Sequence, residues 1–233
     1  MNDLLIDYEL SCYGVEQNLK IELKNENNSL LISGASGSGK TVLLKALIVH
    51  WLRQTPDATF LLRDFKSYDF RFCHTCSNYY AFEKVTQGIE ASYTEFKKRQ
   101  NLMNQKYNDY FLIIDEYAAY LEFLDKKERE LIQRRVAELL MMGRAYNIHL
   151  VFVLQRADAK YFPSVRENIG IRIGLGKLSK SLATMLFEES EYFFHGSRTG
   201  ALVKANDTEI QYFKLQTIRE INQLDRHIKQ LLK

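Results

Sequence analysis

The run Gly34-Ala35-Ser36-Gly37-Ser38-Gly39-Lys40-Thr41 spaces two glycines, a lysine and a hydroxyl as G-x-x-x-x-G-K-[ST], a pattern suited to holding phosphate. A glycine turn that opens a helix forms a nest of backbone N–H groups facing an anion. Lys40 would then reach the β- and γ-phosphates, and the Thr41 hydroxyl would hold Mg²⁺. The candidate contacts to ATP are Gly34, Ala35, Ser36, Gly37, Ser38, Gly39, Lys40, Thr41 and Val42. A Gly/Ser-rich turn could match by accident, but four fixed residues and the flanking elements all agree with the phosphate reading.

The second set of chemistry-bearing residues lies further along. The apolar run Phe111–Ile114 ends in Asp115-Glu116. Asp115 would orient Mg²⁺ through its water shell, and Glu116 would polarise an attacking water. The two acids could instead cap the following helix, whose N-terminus favours negative charge. Gln155 ends another apolar run and could sense a γ-phosphate, or be a surface amide. Arg144 falls in the last turn of a predicted helix, where a cation suits the helix dipole. Its alternative use is as an arginine finger completing a neighbouring subunit's site.

These residues need elements to place them. Leu30-Leu31-Ile32 reads as a buried strand before the glycine loop, and the helix after it runs to about Gln54. Thr59–Arg63, Tyr110–Ile114, His149–Leu154 and the Ile171 region read as further strands. Helices are expected over Glu83 to about Tyr107, Lys127–Ala145 and Ser179–Phe187. Leu19, Ile21 and Leu23 alternate as a half-exposed strand, with a turn at Asn25–Asn28. A hairpin is expected from Ala201–Lys204 and Glu209–Phe213, and a last helix with Ile218, Ile221, Leu224, Ile228 and Leu232 on one face. Strands alternating with helices predict an α/β fold with a parallel, doubly wound sheet. The aromatics Tyr68, Phe70, Phe72, Tyr79, Tyr80 and Phe82 suit either an interface or the core.

Composition narrows the classes. The chain has 233 residues, of which 46% are hydrophobic, with two prolines and eleven glycines, so a core is available and long linkers are disfavoured. A net charge of +3 is too mild to require nucleic acid. Three cysteines suggest a reducing compartment. Cys73-His74-Thr75-Cys76 is a lone C-x-x-C with no second pair at finger spacing, which leaves zinc, redox chemistry or ordinary thiols open. No signal peptide or membrane span is visible, so a cytoplasmic protein without direct membrane insertion is expected.

Together these segments resemble the FtsK/SpoIIIE family of DNA-translocating ATPases, within the FtsK–HerA group. The segments in order are Gly34–Thr41, Asp64-Phe65-Lys66, Glu95-Phe96-Lys97-Lys98-Arg99 and Ile113–Ala118, followed by Gly143-Arg144-Ala145-Tyr146-Asn147-Ile148-His149 through Gln155-Arg156 and then Asn168–Ile173. The resemblance spans about Ser29 to Phe213. It implies a RecA-like P-loop NTPase with a mainly parallel, helix-flanked sheet. Residues 1–28 would form an N-terminal strand extension, 29–213 the core and 214–233 a C-terminal helix. It also makes Arg144 a trans arginine finger and Gln155 a γ-phosphate sensor, and it makes Arg156, Arg166 and Lys180 pore-facing DNA contacts. Phosphate contacts of that kind would be salt-sensitive and blind to sequence. Three positions depart from the family pattern: Asn147 for glycine, Ala157 for the proline after Gln-Arg, and Phe65 for the proline of D-P-K. No membrane-spanning N-terminal region or winged-helix module is seen, which implies that anchoring and sequence specificity are borrowed.

The resemblance implies a ring-forming, homohexameric, ATP-driven double-stranded DNA translocase serving mobile-element transfer, packaging or segregation. A relaxase, a replication initiator or a membrane channel would be its partner. Two other readings stand beside it. One is a protein-export motor resembling type VII secretion ATPases, whose domains usually occur in tandem. The other is a nucleotide switch or small-molecule kinase; a GTP switch should carry N-K-x-D, which is missing here, and a kinase has no need of Asp115-Glu116.

Overall fold

The computed structural model describes residues 4–24, 27–102, 105–163, 165–188, 196, 198–204, 209–217 and 220–232. Among them the strands are β1 (Leu5–Asp7), β2 (Asn18–Leu19), β3 (Ser29–Gly34), β4 (Thr59–Asp64), β5 (Tyr79–Ala81), β6 (Tyr110–Asp115), β7 (Ile148–Leu154), β8 (Ile171–Leu175), β9 (Thr199–Lys204) and β10 (Gln211–Leu215). The helices are α1 (Tyr8–Cys12), α2 (Lys40–Gln54), α3 (Val85–Gln100), α4 (Tyr117–Phe123), α5 (Lys126–Met142), α6 (Lys180–Phe187) and α7 (Ile221–Leu231). One sheet runs β2-β1-β10-β9-β8-β3-β7-β6-β4-β5. Every pairing from β8 across to β5 is parallel, and every pairing from β2 to β8 is antiparallel.

The parallel strands read as continuous apolar runs because helices cover both faces. Alternation along each strand divides the core. On β7, Ile148, Leu150, Phe152 and Leu154 face α3, α4, α5 and α6, whereas Val151 and Val153 face the side of α2 and α7. On β3, Leu31 points to the first side, and Leu30 and Ile32 to the second. The register brings Gly34 beside Leu175, Ser33 beside Leu154 and Asp64 beside Asp115. The carboxyl ends of β3, β4, β6, β7 and β8 therefore finish along one edge, where open α/β sheets place ligands.

Several expected elements differ. The strand at Leu19–Leu23 shrinks to β2, and Ile21 and Leu23 are buried in a non-strand segment instead. The helix expected to reach Tyr107 ends at Gln100. There Arg99 Nη1 donates to the Asn108 and Tyr146 carbonyls, and the Tyr107 hydroxyl donates to the Arg99 carbonyl, so the chain folds back. The helix expected to end at Ala145 ends at Met142, and Gly143–Tyr146 tightens into a 3₁₀ turn closed by left-handed Asn147 (φ 51°). Leu224, Ile228 and Leu232 of the last helix are buried, but Ile221 is exposed. Ile218 and the Asn25-Glu26 half of the expected turn lie outside the described residues. The aromatic group splits: Phe70 is fully buried, while Tyr68 and Phe82 are exposed. No helix among the described residues is long and apolar enough to cross a membrane.

Candidate phosphate site

The glycine loop joins β3 to α2 at the aligned sheet edge. Gly34 passes so close to β8 that an added Cβ would lie 2.6 Å from the Leu175 carbonyl oxygen. Gly39 precedes the first helical residue with φ 95°, a left-handed turn that side chains resist. The result presents the N-terminus of a fifteen-residue helix to the loop's concave side. Lys40 is buried, and its Nζ donates to the Gly34 and Ala35 carbonyls at 2.8 and 2.9 Å. Burial lowers its pKa, opposed by the Glu116 and Asp115 carboxylates. Thr41, in the first turn of α2, donates its hydroxyl to Asp69 Oδ2 at 3.3 Å.

Asp115 ends β6 next to Asp64, and its Oδ1 accepts the Glu116 N–H at 3.0 Å. Burial, reinforced by Asp64, Glu116 and Asp69, pushes its pKa up to about 8. Glu116 adopts a left-handed backbone (φ 56°) at the step from β6 to α4, and its carboxylate is ion-paired with Lys66. It therefore sits at the N-cap of α4, but with no side-chain capping bond. The acidic pair thus stands at the N-terminus of α4, as the helix-capping reading expects, while the Glu116 carboxylate engages Lys66.

This gathering of carboxylates around Lys40 and Lys66 fits Mg²⁺. Among the described residues no group of three or more His, Cys, Asp or Glu side chains could hold a metal alone. Mg²⁺ is ordinarily bound by one or two carboxylates together with substrate phosphates, not by an all-protein cage. A divalent cation would also relieve the crowding that burdens Asp115.

Two clefts flank the loop. One, of about 700 Å³, is bounded by Ala35, Ser36, Lys66, Glu116, Gln155 and Arg156. The other, of about 490 Å³, lies beside Ala35–Gly39 and is closed by Leu4, Val42, Leu215 and Ile221. Gln155 is exposed after β7, at the phosphate edge, and Arg156 shares its cleft. Lys180 begins α6 and is exposed, whereas Arg166 packs its Nη1 against Met185 Sδ at 3.6 Å. Arg144 is also exposed, but it precedes β7. It lies at the edge of the sheet opposite the phosphate loop, a strand of seven residues away, or about 20 Å.

Sequence reasoning missed Lys66 as the partner of Glu116 and Asp69 as the partner of Thr41. Asp64-Phe65-Lys66 stood out as a strand end, but no spacing rule links position 69 to position 41. Leu4, Leu215 and Ile221 were missed as well: the pairing of β1 with β10 sets Leu4 beside Leu215, and Ile221 comes from the start of α7. Cys73 is buried and Cys76 half-buried.

Residues 8–109 match the family model described as FtsK/SpoIIIE family. The FtsK domain-containing protein YdcQ of Bacillus subtilis is 28% identical over 177 residues, covering 70% of this chain and 37% of YdcQ. The DNA translocase FtsK of Treponema pallidum is 26% identical over 189 residues, covering 69% of this chain and 23% of that protein. This chain thus spans well under half the length of both. Among solved structures, the cytoplasmic domain of the Thermomonospora curvata type VII secretion ATPase EccC superposes with a TM-score of 0.74 at 18% identity, over 98% of this chain and 30% of that one. That likeness establishes the fold, a mainly parallel sheet flanked by helices.

Proposed function

We propose, on the premise that this chain carries an FtsK/SpoIIIE-family domain, that it hydrolyses ATP and couples hydrolysis to movement along double-stranded DNA. One observation carries the reading: Ala35 and Ser36 of the glycine loop, Glu116 and Gln155 line one cleft at the carboxyl ends of adjacent strands, with buried Asp115 next to Glu116 at the end of β6. Lys40 would turn from the loop carbonyls to the terminal phosphates. Glu116 would take a proton from the attacking water once Lys66 releases its carboxylate. Gln155 would hydrogen-bond the γ-phosphate from the neighbouring strand end. Mg²⁺ held by Thr41 and Asp115 would neutralise phosphate charge.

Arg144 cannot serve its own chain's loop from the opposite edge. In this reading it serves the next copy around a closed ring, a head-to-tail arrangement in which each site is shared. Arg156, Arg166 and Lys180 would grip DNA phosphates from the ring's inner surface. DNA is favoured over polypeptide because the sequence relatives at 26–28% identity include a DNA translocase, whereas the secretion ATPase shares the fold at 18%.

The test is ATP hydrolysis by the purified chain, with and without linear double-stranded DNA, beside Lys40→Ala and Arg144→Ala. DNA stimulation that both substitutions abolish is expected. Hydrolysis indifferent to DNA, lost only with Lys40→Ala, would retain an ATPase and reject the translocase.

A further inference from the structure

The acceptor of the Thr41 hydroxyl is Asp69, 28 positions away on the loop after β4, and among the described residues no bond joins Thr41 to Asp115. A hydroxyl that ligates a cation through its oxygen cannot aim its proton at that cation. The proton needs an acceptor, and a carboxylate beside the hydroxyl is the strongest one a protein supplies. Asp115 Oδ1 is already engaged by the Glu116 N–H.

Asp69 is held in place from both sides. Asp64 accepts the Ser67 N–H at 2.9 Å through Oδ1 and the Phe70 N–H at 3.1 Å through Oδ2, and the Tyr79 hydroxyl donates to the same Oδ2 at 3.1 Å. The residue after Asp69, Phe70, is wholly buried, with the Lys45 ammonium 5.4 Å from its ring centroid. The turn carrying Asp69 is therefore part of the packed body, and its carboxylate meets α2 where the phosphate loop ends.

We propose that Asp69 is a positioning residue for the Mg²⁺ that accompanies the nucleotide. It accepts the Thr41 proton and so turns the hydroxyl oxygen toward the cation. Asp115 is left to order the water shell. The proposal rests on the nucleotide reading above and adds a residue to that same site.

The experiment is MgCl₂ titration of a fluorescent, non-hydrolysable ATP analogue bound to the full chain, compared with its affinity in EDTA. For Asp69→Ala the half-saturating Mg²⁺ should rise about 10-fold or more, the usual effect of losing a residue that orients a metal ligand. Affinity in EDTA should stay unchanged, and Asp69→Glu should recover much of the loss. In a Thr41→Ala background, Asp69→Ala should add nothing, because the two act as one unit. An unshifted Mg²⁺ titration would overturn the proposal. So would an equal loss in EDTA, which marks a structural role, or a full effect without Thr41. If the wild-type chain bound the analogue equally well with and without Mg²⁺, the nucleotide–Mg²⁺ reading itself would fall, and Asp69's role with it.

Discussion

At the scale of single residues, the distinctive feature is an acid that is restrained. Glu116, the proposed water-activating base, has its carboxylate held by Lys66, whose side chain is 44% exposed while that of Glu116 is 12% exposed. With the lysine end open to solvent, the pair holds with about 1 kcal/mol or less. Lys66→Met should therefore raise DNA-independent hydrolysis by up to about fivefold, the rate equivalent of that energy. Steady-state rates without DNA check it, and a fall in rate would mean that Lys66 works on phosphate and not on Glu116. Asp115 shows the opposite situation, a carboxyl whose pKa burial and neighbouring acids raise to about 8. The two adjacent acids thus differ in surroundings, and this difference was not legible from the dipeptide.

At the scale of elements, the strand ends are held in register by contacts that tolerate no extra atoms. The fully buried Arg63, one residue before Asp64, donates through Nη2 to the Gly88 carbonyl of α3 at 2.9 Å and lies 4.0 Å from the Tyr80 ring centroid. A Cβ at Gly88 would fall 1.8 Å from Arg63 Nε. Gly88→Ala should cost about 1–3 kcal/mol or more through overpacking, read as a lower denaturant midpoint at unchanged slope. On the other face, α7 packs on α2 through Leu224 and Ile228, and Asp225 pairs with Lys45 at 2.8 Å. Ile228→Ala should cost about 2–5 kcal/mol in the same measurement by opening a cavity. Gly88 sits inside a helix that polar periodicity alone describes well, so its packing reason appears only once Arg63 is seen beneath it.

At the scale of the whole molecule, the sheet's polarity separates the two halves of the proposed catalytic set. Gln155 follows β7 and lies at the phosphate edge, whereas Arg144 precedes β7 and lies at the other. A shared site makes a sharp prediction. Lys40→Ala supplies an intact Arg144, and Arg144→Ala supplies an intact phosphate loop. Mixed in equal amounts, two inactive variants should regain about a quarter of the wild-type rate, since about one in four head-to-tail contacts pairs the intact halves. No recovery in a mixture shown to co-assemble would place Arg144 outside its neighbour's site. The sequence by itself determined the α/β class, the parallel core strands, the phosphate loop and the acidic strand end. Each of these is a local pattern of apolar periodicity or a short spacing that backbone chemistry reads directly. Only the tertiary structure decided that β1 joins β10 and lines the loop's second cleft, that Lys66 holds Glu116, and that Asp69 takes the Thr41 hydroxyl. These contacts join residues distant in the chain, and what brings them together is the order in which strands enter the sheet, which no local pattern encodes.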